Sequence, residues 1–257
     1  MFQLFIQTNS PGELTNWTIP FIQAFRKQVP DSEVTIFLTP CPYATGEESK
    51  LALQTEGVLT VYKPKDTISF MLNPFKKPPK TQKGALLFLG GDPFYSKLLS
   101  KKLNVPAFAY SEHNHNPGKF FKKVFYLHQD GNLMSERIHQ FNTQTKSEIS
   151  RQNILTKHNL TDKNYCLFFA GSRPQHTQHL IPMYTEIIQQ IKTQHPDFHP
   201  LLGLSPFTTE KKLTELKKDH DLSPFTIIRG ESLELLRIAK LLVTIPGSNT
   251  AEAMYMR

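Results

Sequence analysis

Cysteine is scarce in this 257-residue chain: Cys41 and Cys166 stand far apart and form no CxxC spacing. That excludes a disulfide framework and a structural zinc site, and makes a reducing compartment the expectation. Long hydrophobic runs are missing too. The longest apolar segments, Ala85–Leu89 and Leu241–Ile245, fall far short of the roughly 20 residues that a spanning helix needs. The start, MFQLFIQTNSPG, has no basic leader, no long apolar region and no small-residue cleavage site. It is expected to be a first strand rather than a signal peptide, which makes the cytoplasm the expected location. Glycine and proline together supply only 31 residues, beside 39% hydrophobic and 20% charged residues. Collagen-like, low-complexity and disordered classes are thereby excluded.

Positive charge is what the sequence has in excess, and it is local. Lys63 to Lys123 contains twelve lysines against Asp66, Asp92 and Glu112, a balance of +9, while the whole chain carries +8. Such a field suits a phosphorylated or polyanionic partner, including the anionic face of a membrane; the plainer reading is a solvated surface that keeps the protein soluble. Phe120 and Phe121, between Lys119 and Lys122, are candidates to dip into a lipid interface, although paired aromatics more often belong to a core. No nucleic-acid-binding motif accompanies the lysines, so no specific nucleic-acid partner is expected.

Short β-rich apolar runs alternate with amphipathic stretches, which predicts an α/β protein with parallel strands. Expected strands are Phe2–Thr8, Glu33–Leu38, Gly57–Tyr62, Ala85–Leu89 and Ala107–Tyr110. Helices are expected at Thr15–Gln28, Thr45–Thr55 and Phe94–Leu103, and a loop at Asn73–Lys83. Few large apolar groups occur between Asn142 and Asn164, so a domain boundary is placed there, giving domains 1–160 and 161–257. The second opens on a strand at Tyr165–Ala170 and continues with helices near 178–194, 210–219 and 232–239. Strands at 199–204, 225–229 and 241–244 alternate with them.

Ligands in such folds sit where strands end and helices begin. Three loops qualify: Asn9-Ser10-Pro11-Gly12-Glu13, Gly171-Ser172-Arg173 and Pro246-Gly247-Ser248-Asn249-Thr250. Gly171, Ser172 and Arg173 combine backbone freedom, a hydroxyl and a guanidinium ahead of a helix, a set that can hold the diphosphate of a nucleotide-sugar. An ordinary strand-to-helix turn has the same look. Glu252, one turn past the third loop, can accept hydrogen bonds from ribose hydroxyls. Ser248, Asn249 and Thr250 are equally common helix caps. His113 and His115 form an HNH pair with no third ligand nearby, so no metal is expected, and no cofactor.

The segment GSRPQHTQHLIP (Gly171–Pro182) resembles the GSR-x8-P segment of the lipid-A-disaccharide synthase family, and GSNTAE (Gly247–Glu252) resembles its second donor-site loop. NSPGELTNW (Asn9–Trp17), LTPCPYATGEE (Leu38–Glu48), FLGGDPFY (Phe88–Tyr95) and DGNLM (Asp130–Met134) are similar to synthase-like relatives in bacteria. The resemblance implies a GT-B fold: two Rossmann-like domains with parallel sheets facing a cleft, acceptor held mainly by the first and UDP-sugar by the second. It implies inverting, metal-independent transfer of an N-acetylglucosamine-type sugar, acylated or not, to a lipid or glycolipid acceptor. Gly171, Ser172 and Arg173 would line the diphosphate, and Gly247, Ser248, Asn249, Thr250 and Glu252 the nucleotide. Ser10, Gly12 and Glu13 match the first domain's Gly-Glu loop. Asp92 is the candidate general base, with Glu13 as its competitor; the plainer role for Asp92 is to cap the helix beginning near Phe94. Relatives extend on the order of a hundred residues beyond Glu252, so the second domain is expected to be incomplete.

A peripheral enzyme on the inner face of the membrane is the leading expectation. The alternatives are a non-catalytic UDP-sugar-binding protein and another GT-B member such as an epimerase-like enzyme.

Overall fold

The computed structural model describes residues 1–78, 83–113, 115–148, 151–171 and 174–256, with backbone alone at 144–148, 174 and 175. The chain divides into two compact units, Met1–Glu136 and Arg137–Arg257.

In the first unit, β1 (Gln3–Thr8) leads into α1 (Pro11–Glu13), which passes through a π-helical segment (Leu14–Thr18) into α2 (Ile19–Gln28). Then come β2 (Glu33–Leu38), α3 (Glu48–Leu53), β3 (Val58–Tyr62), α4 (Pro64–Leu72), β4 (Gly84–Phe88), α5 (Pro93–Leu103), β5 (Ala107–Ser111), β6 (Lys123–Tyr126) and α6 (Leu127–Asp130). The six strands form one parallel sheet in the order β3-β2-β1-β4-β5-β6. Strands covered on both faces must be apolar along their whole length, and β1 is buried from Leu4 to Thr8. Its polar members, Gln7 and Thr8, are therefore conspicuous.

Helix α7 (Leu133–Glu148) starts in the first unit and continues into the second. After it come α8 (Arg151–Lys157), β7 (Asn164–Phe169), α9 (Pro174–Gln194), β8 (Phe198–Leu204), α10 (Glu210–Asp219), β9 (Thr226–Arg229), α11 (Ser232–Ile238), β10 (Ala239–Thr244) and α12 (Ser248–Tyr255). The four strands are parallel in the order β10-β7-β8-β9. Residues 137–160 carry two anchors for this unit: Ile154 and Leu155 are fully buried among Tyr165, Leu167, Leu201 and Leu235.

Both sheets reverse direction once. The chain lays down β1, β2 and β3 to one side, then places β4 on the other; it repeats this with β7, β8, β9 and then β10. In an open parallel sheet the diverging connections leave a crevice beyond the carboxyl ends of the two strands where the order reverses. The crevices therefore lie at β1/β4 and β7/β10.

Phe121 corrects one expectation: it is buried in the first unit's core against Phe88, with Phe120 packed on it, so this pair is not free to enter lipid.

Candidate functional site

The β1/β4 crevice brings together Ser10, Gly12, Glu13 and Asp92. Ser10 caps α1, with its Oγ accepting the Glu13 N–H at 3.2 Å. The Glu13 carboxylate turns back so that Oε2 accepts the N–H groups of Asn9 and Ser10, both at 3.2 Å. This reciprocal capping box fixes a carboxylate at the mouth of the crevice. It lies directly on the exit turn of β4: a Cβ at Gly90 would stand 2.1 Å from Glu13 Oε2. Gly91 has φ +88°, and a Cβ there would meet Thr39 Oγ1 at 2.6 Å. Neither glycine tolerates a side chain without displacing what faces it.

The turn is held from below by Gln7. Its Nε2 donates to the carbonyls of Gly90 and Asp92, both at 3.0 Å, while its Oε1 accepts the Ser96 hydroxyl at 2.6 Å. Asp92 is exposed and caps α5, its Oδ1 accepting the Phe94 N–H at 2.8 Å. Burial raises the Glu13 pKa above the ordinary 4.5, against the two backbone N–H groups and with a small contribution from Glu112. Glu112, just past β5, is likewise raised, chiefly by desolvation, with His113 pulling the other way. Cys41, after β2, has its thiol pushed up by burial and by the carboxylates of Glu13 and Glu48. Exposed aromatic rings, Tyr43 and Phe94, belong to the same edge. His113 and His115 stack with centroids 5.5 Å apart.

The β7/β10 crevice receives the other two loops. Gly171 takes φ +76° immediately after β7, in the left-handed region that glycine adopts without strain. Ser172 and Arg173 lie outside the described residues. Helix α9 follows at once, and Thr177 Oγ1 reaches back to the Ala170 carbonyl at 3.5 Å. Beneath the loop, the fully buried Tyr184 donates to the Phe169 carbonyl at 2.8 Å, and burial pushes its phenol up to about 12. After β10, the hydroxyl of Thr250 donates to the Ile245 carbonyl at 3.0 Å, and the N–H groups of Thr250 and Ala251 donate to Gly247 at 3.1 and 3.2 Å. Pro246, Gly247 and Ser248 remain exposed at the start of α12. Because β7 and β10 are adjacent, α9 and α12 present their N-terminal ends, with their partial positive charge, at one crevice. Glu252 lies deeper than a surface ligand. It is buried, paired with the Arg137 guanidinium, and accepts from Asn249 Nδ2 at 3.2 Å.

Gln7 and Arg137 are absent from the sequence-based candidates. For Gln7 the signal was available, since a glutamine inside an otherwise apolar strand needs a buried partner. Arg137 had none, because its partner lies 115 residues away.

Residues 119–257, more than half of the chain, match the family model described as lipid-A-disaccharide synthetase. Among curated proteins no sequence match is found. Similar solved structures have two Rossmann-like domains of the GT-B class. UDP-GlcNAc 2-epimerase from Methanocaldococcus jannaschii is 16% identical at TM-score 0.57, over 100% of this chain and 82% of that one. UDP-GlcNAc 2-epimerase from Neisseria meningitidis bound to UDP-GlcNAc is 15% identical at 0.57, over 96% and 78%. E. coli heptosyltransferase WaaC with ADP is 13% identical at 0.51, over 100% and 85%. At these identities the likeness establishes the fold, α/β with two parallel sheets of the GT-B kind.

Proposed function

Because the chain belongs to the lipid-A-disaccharide synthetase family, we propose that it transfers an N-acetylglucosamine-type sugar from a UDP-sugar to a lipid or glycolipid acceptor, with inversion and without a metal. The observation that carries this reading is that β7, ending just before Gly171, lies beside β10, so that the N-terminal ends of α9 and α12 meet at one crevice with the Gly247–Thr250 loop, where two helix N-termini favour a diphosphate. The acceptor belongs to the β1/β4 crevice. In the transfer the acceptor hydroxyl gives its proton to a carboxylate, its oxygen attacks the anomeric carbon, and the bond to the diphosphate oxygen breaks with the electron pair leaving on UDP. Helix N-termini and Arg173 offset the charge that develops on the leaving group.

Asp92 and Glu13 both remain candidates for the base. Asp92 is exposed and keeps a carboxylate oxygen clear of its cap bond. Glu13 has a pKa raised by burial, the direction that favours a base. That each also serves a helix cap favours a second reading, a UDP-sugar-binding protein without turnover. The test is incubation with UDP-N-acetylglucosamine-type donors and a glycolipid acceptor, read by UDP release and product mass. A new glycosidic product supports transfer; an isomerised donor indicates an epimerase-like enzyme; binding without either supports the second reading.

Contact with an anionic membrane belongs to the same proposal. Phe75 is 88% exposed and Leu72 70%, beside exposed Lys76 and Lys77. Apolar groups ringed by lysine suit a bilayer interface. They sit where α4 returns toward the start of β4, the end of the strands opposite the ligand loops. This surface anchors the protein and does not itself feed the crevice.

A further inference from the structure

We infer that Arg137 is a positioning residue of the nucleotide loop, acting through Glu252; the inference rests on the donor-site reading above. On sequence grounds Glu252 is a candidate to accept hydrogen bonds from ribose hydroxyls. Its side chain, however, is only 3% exposed, and both carboxylate oxygens are engaged inside the second unit: Oε1 by the Arg137 guanidinium, Oε2 by the Asn249 amide at 3.2 Å. Arg137, on α7, is itself three-quarters buried, with 24% of its side chain exposed. A carboxylate taken out of water in this way holds its charge only beside a compensating cation. Arg137 supplies that cation from a helix otherwise remote from the loop.

The chain of contacts ends at the loop. Asn249 is in the first turn of α12, between Ser248 and Thr250, and Thr250 is tied to the Ile245 and Gly247 carbonyls. Helix α7 is fixed by a further strap, Arg237 Nη1 donating to Asn142 Oδ1 at 3.1 Å from α11. Arg137 therefore approaches Glu252 from a set position. Without it, the buried carboxylate is left uncompensated and is driven to turn toward water, and the Asn249 contact in the first turn changes. Removing one partner of a buried pair is costly mainly because the other is left uncompensated, so neutralising Glu252 as well should relieve most of the defect.

The full-length chain and its R137M, R137K, E252Q and R137M/E252Q variants are titrated with UDP, with thermal melting of each. R137M is expected to bind UDP about tenfold more weakly, with R137M/E252Q recovering to within about threefold of the parent and R137K falling between. In the transfer assay the loss should appear in donor KM, with kcat changed less than about twofold. Equal UDP affinity in R137M and the parent overturns the inference, and so does a double variant no better than R137M, which is the pattern of a direct ribose ligand. Should R137M fail to fold, R137K decides: unchanged affinity and donor KM overturn the inference, and a shift of about threefold in both supports it. If the parent itself binds no UDP, the donor-site reading fails and the inference with it, an outcome distinct from parent binding that R137M leaves untouched.

Discussion

Glu13 carries two conflicting demands. Its carboxylate is needed ionised to accept the N–H groups of Asn9 and Ser10, yet burial raises its pKa above 4.5. A carboxyl raised in the folded state binds more protons there than in the unfolded chain, so it lowers stability as pH rises above the unfolded value. Glu13→Gln, which keeps the acceptor oxygen, should therefore melt higher than the parent at pH 7–8, with the difference shrinking toward pH 4.5. If Glu13 is the base, the same variant loses transfer by about 10²–10⁴-fold, and the acid limb of the parent's kcat/KM profile lies above the ordinary carboxylate range. Asp92→Asn separates the competitor cleanly, because asparagine caps a helix as well as aspartate does. Its melting temperature should stay within about 2 °C of the parent, a cap change worth no more than ~0.5 kcal/mol, so any loss of turnover is chemical. Retained turnover in Asp92→Asn assigns the base to Glu13.

At the scale of elements, the turn after β4 depends on one strand residue. Gln7→Ala removes three hydrogen bonds and leaves the carbonyls of Gly90 and Asp92 and the Ser96 hydroxyl without that partner in a buried place. A loss of about 3 kcal/mol is expected in chemical denaturation, with turnover falling because Asp92 is no longer held; a change under ~1 kcal/mol would show that water replaces the amide. The strands bounding both crevices were legible in the sequence: β1, β4 and β7 are short apolar runs buried along most of their length, and β10 shows the apolar run Leu241–Val243 although it is only partly covered. Helices α7 and α8 were not. Between Asn142 and Asn164 the sequence offers Ile154, Leu155 and Leu160 as its few large apolar groups, too sparse for a helical stripe, and their burial becomes evident only against β7 and β8. Helix α4 has no counterpart among the expected helices, because its start signal is the single first-turn proline Pro64 between Lys63 and Lys65. The crevice residues were legible as loops with glycine. Their depth was not: Glu252 reads as a surface ligand because nothing local announces its distant cation.

For the whole molecule, charge and exposure point to one end of the first sheet. Among the described residues of 63–123, Lys76, Lys77, Lys83, Lys101, Lys122 and Lys123 are exposed near the amino ends of strands β4 to β6 or the returning ends of the helices before them, against Lys63 and Lys65 exposed at the opposite end, just past β3. No helix among the described residues is long and apolar enough to cross a membrane. Vesicles containing about 30% anionic lipid should therefore bind the protein at low salt and release most of it by about 0.5 M, as screening shortens to a few ångströms. L72S/F75S should weaken vesicle binding while turnover of a water-soluble acceptor analogue is unchanged. Salt-insensitive vesicle binding would contradict the lysine contribution.

Hydrogen exchange of the full-length chain with and without saturating UDP tests the central claim most directly, because it reports where a nucleotide is held without requiring the acceptor. Slowed exchange should be confined mainly to 170–178 and 245–252, the two loops at the β7/β10 crevice and the helix turns that follow them. Saturable UDP binding that protects the β1/β4 crevice instead, or no protection at any concentration up to the millimolar range, would contradict the assignment of these loops to a UDP-sugar.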